Sequence, residues 1–359
     1  MPATRPENVW KGKQTMHFRQ AMEYQAKFGD ANDAPITARV CRAIAEAIDD
    51  TSVTGTRVAN WQGDYIADAV PLRMVAPFHF LFRERRCPAI DPLFRGETTD
   101  DVAAIRAAIV QHDSEIARWL DGPPQTNEAG RSATFMAALL NLSEKFGHPF
   151  ELLEIGSSAG LNLLIDRYHY NLGGILVGPA ASPIAIEPEW RGPPPPNVQV
   201  DIASVRGSDI APIDLGDPAA AERLLAYVWV DQKDRLDRIE TAIAMAQAQM
   251  PTLEQADAAD FVEASLREPQ AANTTRVLMH SIVWQYLPAG TQARITFAMN
   301  TAGAVATPDR PLAWIAFEAD RTVSQHTVRL RVWPGDTDIL LAKAHPHAGW
   351  IEWLAQESA

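Results

Sequence analysis

From Phe150 onward, short β-type runs alternate with helical ones, and nothing upstream of Phe150 reads as a strand. Strands separated by helical patterns imply a mostly parallel sheet covered on both faces, so this alternation restricts the second part of the chain to an α/β fold. The strand candidates are FELLEI, VQVDIASVRGSD, PTLEQADAADF, TTRVLMHSIVW, PLAWIAFEAD, HTVRLRVWPG and DILLAKAHPH. The last three follow one another without helices, so the sheet should finish in an antiparallel hairpin. The helical candidates between the strands include GLNLLIDRYHY, directly after the first run, and AGTQARITFAMNTAGA. GPPPPNVQ, starting at Gly192, is a stiff surface excursion.

The first part reads as helices. Phe18, Met22 and Phe28 fall near one face of a segment that should stop at Gly29. Ile36, Val40, Ile44 and Ile48 are spaced four apart after Pro35, which suits a helix start. Thr99 or Asp100 can cap a third helix carrying Val102, Ile105, Ile109, Ile116 and Leu120, and a fourth closes at Gly147. AVPLRMVAPFHFLFRERR is apolar but interrupted by two prolines. The expected division is a helical cap over residues 1–148 and an α/β domain over 149–359.

The turn after the first strand, EIGSSAG, carries Glu154, Gly156, Ser157, Ser158 and Gly160. Glycine permits a sharp reversal at a strand end and lets a ligand approach the main chain. A following helix would aim free N–H groups and its positive end at the same place. In open α/β sheets ligands sit at the carboxyl ends of the strands. There Glu154 can accept from a polar or ammonium group, Asp209 from both hydroxyls of a ribose, and Asp257 from an adenine amino group. The long stretch between Glu154 and Asp209, with Gly173–Gly174 and the proline run inside it, requires an inserted hairpin. At the next strand end His280 is the nearest general base for an amine or hydroxyl, followed by Trp284, Gln285 and Tyr286 where a substrate enters. Before the fourth helix, Thr126 or Asn127 can cap with Glu128 in the first turn; alternatively Gln125, Asn127 and Arg131 lie over the pocket mouth, and Arg131 pairs with a ligand carboxylate.

LLEIGSSAGLN, GSDIAP and DAADF resemble successive motifs of class I S-adenosylmethionine-dependent methyltransferases. That resemblance, from Phe150 to the end, implies a Rossmann-like, seven-stranded, mostly parallel sheet with a C-terminal antiparallel hairpin. It also implies S-adenosylmethionine as cofactor, with S-adenosylhomocysteine as product, held by Glu154, Gly156, Ser157, Ser158, Gly160, Asn162, Asp209 and Asp257. Ser158 departs from the pattern, standing where that superfamily usually has glycine. A closer resemblance covers nearly the whole chain: PPQTNEAGRSA, EIGSSAGLNLLIDRY, EWRGPPPP, YVWVDQ, HSIVWQYLP and AHPHAGW look like the bacterial domain of unknown function 2332 family. It implies the methyltransferase-like fold with a helical N-terminal portion, and no established substrate.

Two other readings compete. The fold can be retained without catalysis, as a binding module. GSSAG also satisfies G-x-S-x-G, with Ser158 as a hydrolase nucleophile and His280, His326, His345 or His347 in a triad. The hydrolase needs strands and an oxyanion-hole segment upstream of Phe150, where only helices are read. His345 and His347 lack a third ligand at metal spacing, so no metal is expected. A net charge of −13 disfavours a nucleic-acid partner, which needs clustered Lys and Arg. No apolar run approaches the ~20 residues of a membrane span, and the first residues carry charge without an apolar core. With Cys41 and Cys87 as its only cysteines, expected to be buried, the chain reads as a cytoplasmic protein acting on a small molecule.

Overall fold

The computed structural model describes residues 17–320 and 325–354. The chain forms two compact units: Met1–Gln125 with Glu222–Leu236, and Thr126–Ala221 with Asp237–Ala359.

The first unit contains α1 (Phe18–Asp30), α2 (Pro35–Ala47), α3 (Val53–Ala59), α4 (Val70–Arg83), α5 (Asp91–Phe94) and α6 (Asp101–Arg118). Its core interleaves Met22, Ala26, Val40, Ile44, Met74, Phe78, Ile105 and Ile109. Phe28 lies outside it, 46% exposed; the small Ala26 and Gly29 complete the buried face of α1, which runs through Gly29 instead of stopping there. The proline-interrupted segment is one helix, α4, with Pro71 in its first turn and Pro77 inside it. Proline is tolerated in a first turn, and tertiary packing of the apolar face holds the rest. Asp100 caps α6, accepting from the Ala103 amide at 3.0 Å. Both cysteines are buried.

The segment Glu222–Leu236 belongs to this unit because Asp231 caps α2 from 195 residues away. Its carboxylate accepts from the Ile36 amide (2.8 Å), the Thr37 amide (2.9 Å) and the Thr37 hydroxyl (2.7 Å). A helix start leaves such donors orphaned, and a carboxylate there also meets the positive helix end. Replacing Asp231 with alanine is expected to destabilise this unit by about 2–3 kcal/mol, since bonds to a charged group carry more than neutral ones. Urea denaturation monitored on the helical signal checks this; a change below about 0.5 kcal/mol, the scatter of an ordinary surface substitution, contradicts it.

The second unit holds α7 (Ser132–Phe146), a nine-stranded mixed sheet and a separate three-stranded sheet. The strands are β1 (Phe150–Ile155), β2 (His169–Leu172), β3 (Ile175–Val177), β4 (Ala185–Ile186), β5 (Glu189–Arg191), β6 (Ile202–Asp209), β7 (Leu253–Gln255), β8 (Thr275–Ser281), β9 (Leu312–Asp320), β10 (Gln325–Trp333), β11 (Thr337–Ala344) and β12 (Trp350–Trp353). In the large sheet the order is β5-β12-β11-β10-β9-β8-β1-β6-β7, so it exceeds the seven strands expected. β7, β6, β1, β8 and β9 run parallel; β9 to β12 form an antiparallel meander, and the short β5 adds the far edge. The remaining helices are α8 (Pro218–Ala226), α9 (Lys233–Ala248), α10 (Ala258–Arg267) and α11 (Ala289–Gly303).

Two local readings change. α7, expected in the helical part, belongs to the sheet unit. It is buried almost all round from Ser132 to Leu140, as a helix between layers must be. GLNLLIDRYHY is not an α-helix. Leu161–Leu164 makes one 3-10 turn, and His169 already enters β2. Tyr168 and Tyr170 are both fully buried, and the hydroxyl of Tyr170 donates to the carbonyl of Ile165, which ties this short path together. The inserted hairpin is present: β2 pairs antiparallel with β3 around Gly173 and Gly174, both at positive φ.

Candidate functional site

The carboxyl ends of β1 and β6 gather most of the expected ligand-binding residues. β1 ends at Ile155, and the next five residues contain three in the left-handed region: Gly156 (φ 66°), Ser158 (φ 54°) and Gly160 (φ 75°). The turn is closed by its own neighbours. The Ser157 amide donates to the Ser208 carbonyl at 3.0 Å, Gly160 to Ser157 at 2.7 Å, and Leu161 to Oδ1 of Asn127 at 2.7 Å. Asp209, at the end of β6, accepts from the Ser158 amide (2.8 Å) and from the Ala211 amide (2.9 Å). The amides of Ser157, Ser158, Gly160 and Leu161 are thus spent within the protein, and a 3-10 turn stands where the sequence anticipated an α-helix start. Asn127 serves this turn instead of capping α7, and Glu128 caps the 3-10 turn at Ala129–Arg131.

What the turn leaves unpartnered are side chains. Glu154 is buried; its Oε1 accepts from Nδ2 of Asn162 at 2.9 Å, while Oε2 has no partner. The Ser158 hydroxyl and the Asn162 Oδ1 are likewise buried without partners. Burial pushes the Glu154 carboxyl up to about 7, against the opposing pull of Asn162, Ser157 and the Arg131 guanidinium; the Asp209 carboxylate adds to the rise. Arg131 is itself buried and donates from Nε to the Pro346 carbonyl at 2.9 Å.

The other expected residues are spread further. Asp257 caps α10, its Oδ1 accepting from Ala259 (2.9 Å) and Asp260 (3.3 Å). Gln125 closes the other compact unit. Gln285 and Tyr286 are exposed on a 3-10 turn after β8. His280 does not join Glu154. Met279 pairs directly with Glu154 across β1 and β8, so His280 occupies the opposite face of the sheet. There its Nδ1 lies 2.7 Å from Oε1 of Glu318 and its ring stacks on Trp284 at 5.2 Å. A carboxylate only accepts, so Nδ1 carries the proton; Nε2 is buried without a partner. No imidazole is bonded to the Ser158 hydroxyl, which leaves the hydrolase reading without an activating base. His345 and His347 have ring centroids 5.3 Å apart, and among the described residues no group of three or more His, Cys, Asp or Glu is placed to hold a metal.

Two residues were not anticipated. Glu318 on β9 accepts from His280 and also from the amides of Val283 (3.1 Å) and Trp284 (3.2 Å). Val283 packs over the turn: a Cβ added at Gly156 would lie 2.4 Å from its Cγ2. One at Gly160 would lie 2.9 Å from Pro251. The glycines thus admit protein side chains in this structure. The only legible sign of Glu318 was an acid late in an apolar run, two residues before the Asp320 that ends the strand. Before Val283, Ile282 sits at φ 52°, a region a β-branched residue enters only under strain of about 1–3 kcal/mol.

The family described as "Uncharacterized protein conserved in bacteria (DUF2332)" matches residues 19–353. The chain belongs to that family. No curated protein matches it, and no solved structure does. Among the described residues no helix is long and apolar enough to cross a membrane.

Proposed function

We propose that this chain is an S-adenosylmethionine-dependent methyltransferase acting on a small molecule. The observation that carries the reading is the cluster of buried, unpartnered atoms where β1 ends: Glu154 Oε2, Ser158 Oγ and Asn162 Oδ1. Each such orphan costs about 1–3 kcal/mol, which a polar ligand would recover. Glu154 Oε2 suits an ammonium group, and the Ser158 hydroxyl can donate to a carboxylate. Each oxygen of Asp209 keeps a lone pair beyond the amide it already accepts from, enough for two ribose hydroxyls. Asp257, at the tip of the neighbouring strand, is left for the base. These residues fit the ligand's polar groups; its bulk fits only if Val283 yields the space over Gly156.

When bound, the cofactor would supply a methyl group carried on a sulfonium, with a thioether as the leaving group. The chain's residues contribute orientation and exclusion of water. The acidic balance of the sequence favours a small molecule over nucleic acid as the acceptor.

A second reading has an observation of its own. The side chains of Val283 and Pro251 against the glycines, and the turn amides of Ser157, Ser158, Gly160 and Leu161 bonded within the protein, favour a protein that keeps this sheet without turnover. Calorimetry with S-adenosylmethionine and S-adenosylhomocysteine separates the two. Saturable heat with both, weakened about tenfold or more by Asp209→Ala (a loss of some 1.4 kcal/mol or more), is expected for the first. No heat with either at near-millimolar ligand rules it out.

A further inference from the structure

The segment after β8 lies against the turn at Gly156, and it is fastened from the far side of the sheet. Ile282 holds its left-handed conformation with its amide bonded to the Phe317 carbonyl at 2.9 Å. Immediately after it, Val283 occupies the space over Gly156. The amides of Val283 and Trp284 converge on one oxygen of Glu318, and the Trp284 ring lies against His280, which donates to that same oxygen. Gln292 of α11 holds the next stretch, donating to the carbonyls of Trp284 (2.8 Å) and Leu287 (3.2 Å). A side chain set directly against the turn's first glycine, a strained residue beside it and a set of bonds converging on a single carboxylate are the parts of a gate with a latch.

We propose that Ile282–Tyr286 is a gate over the Gly156 turn, that Val283 is its plug, and that Glu318, oriented by His280, is the latch that holds it shut. Ile282 is the hinge, because its conformation relaxes when the segment lifts. Lifting the segment uncovers Gly156, the first residue of the turn that carries Ser158 and Asn162 and follows Glu154. Glu318 and His280 are then positioning residues, acting through the segment and not on the reacting atoms. What passes the gate rests on the methyltransferase reading; the latch itself does not.

The test therefore has two arms, both on the full chain. Hydrogen exchange without ligand reads the latch. Glu318→Ala should speed exchange at the Val283 and Trp284 amides at least about tenfold while β1 and β8 stay protected, because a bond to a charged group is worth more than one decade of opening. Unchanged exchange at those two amides overturns the latch. If Glu318→Ala does not fold, Glu318→Gln carries the same test. It keeps an acceptor without the charge and should speed exchange about threefold, charge-assisted bonds being roughly twice as strong as neutral ones. Calorimetry with S-adenosylhomocysteine reads the plug. Val283→Ala leaves the Glu318 bonds in place and should bind at least about fivefold tighter than the parent, since less is displaced. Equal or weaker binding by Val283→Ala overturns the gate. If neither protein binds, the methyltransferase reading fails, and the exchange arm still decides the latch.

Discussion

Replacing Gly156 with alanine is expected to destabilise the sheet unit by about 3 kcal/mol, from two separable causes. The first is backbone: φ is 66° at Gly156, where an L side chain costs about 1–2 kcal/mol. The second is contact: the new Cβ would stand 2.4 Å from Cγ2 and 2.8 Å from Cβ of Val283, closer than packed atoms come. Overpacking of this kind costs about 1–3 kcal/mol. Only the second cause involves Val283. In a double-mutant cycle Val283→Ala removes Cγ2 but keeps the Cβ at 2.8 Å, so it should return about 1 kcal/mol of the loss and leave the backbone part with the remaining Cβ contact. Urea midpoints for the four proteins measure it. Additive behaviour within about 0.5 kcal/mol would show that Val283 does not rest on this glycine.

The second large effect is a pair of opposed pH dependences. Burial holds the Glu154 carboxyl up at about 7 and drives the His79 imidazole down to about 4, although the Ala226 carbonyl opposes the latter by accepting from its Nδ1 at 3.1 Å. For His79 the folded value lies below the unfolded value of about 6.5, so its stabilising contribution is whole above that pH and is lost as pH falls toward 4. For Glu154 the folded value lies above the unfolded one, so its contribution is whole below about 4.5 and is lost as pH rises through 7. Each amounts to about 3 kcal/mol over its window. The windows overlap and the slopes have opposite sign, so from these two groups the parent should show little net slope between pH 4.5 and 6.5. Glu154→Gln should unmask stability that rises with pH there, by about 1 kcal/mol per unit. His79→Asn should unmask stability that falls. Denaturation midpoints across that range check both, and two variants with parallel profiles would contradict the assignment.

The strands were legible because their apolar runs are short and bounded by turn residues; all seven runs named from the sequence contain strands of the sheet. The path after β1 misled because Leu161, Leu164, Ile165 and Tyr168 fit a helical period, whereas burial of Tyr168 and Tyr170 beside a glycine hairpin settles the segment as a turn and a strand. In the site, Glu154, Asn162 and Asp209 could be picked out by type and by place at strand ends. Their partners could not: Asp209 meets Ser158 across 51 positions and Asp231 meets Thr37 across 194, and no local pattern encodes such pairings. His280 shows the limit most clearly. Its place near the end of β8 was readable, but a shift of one residue in a strand reverses the face, and it is the register of β8 against β1 that puts His280 on the side away from Glu154.

Binding at the carboxyl ends of β1 and β6 is measured most directly by titrating isotopically labelled protein with S-adenosylhomocysteine and following amide resonances. Saturable shifts are expected at Gly156, Ser158 and Leu161 in the turn, at Ala211 beside Asp209, and at Val283 as it leaves Gly156. Shifts confined to residues away from the carboxyl ends of β1 and β6, or none at all, would contradict it.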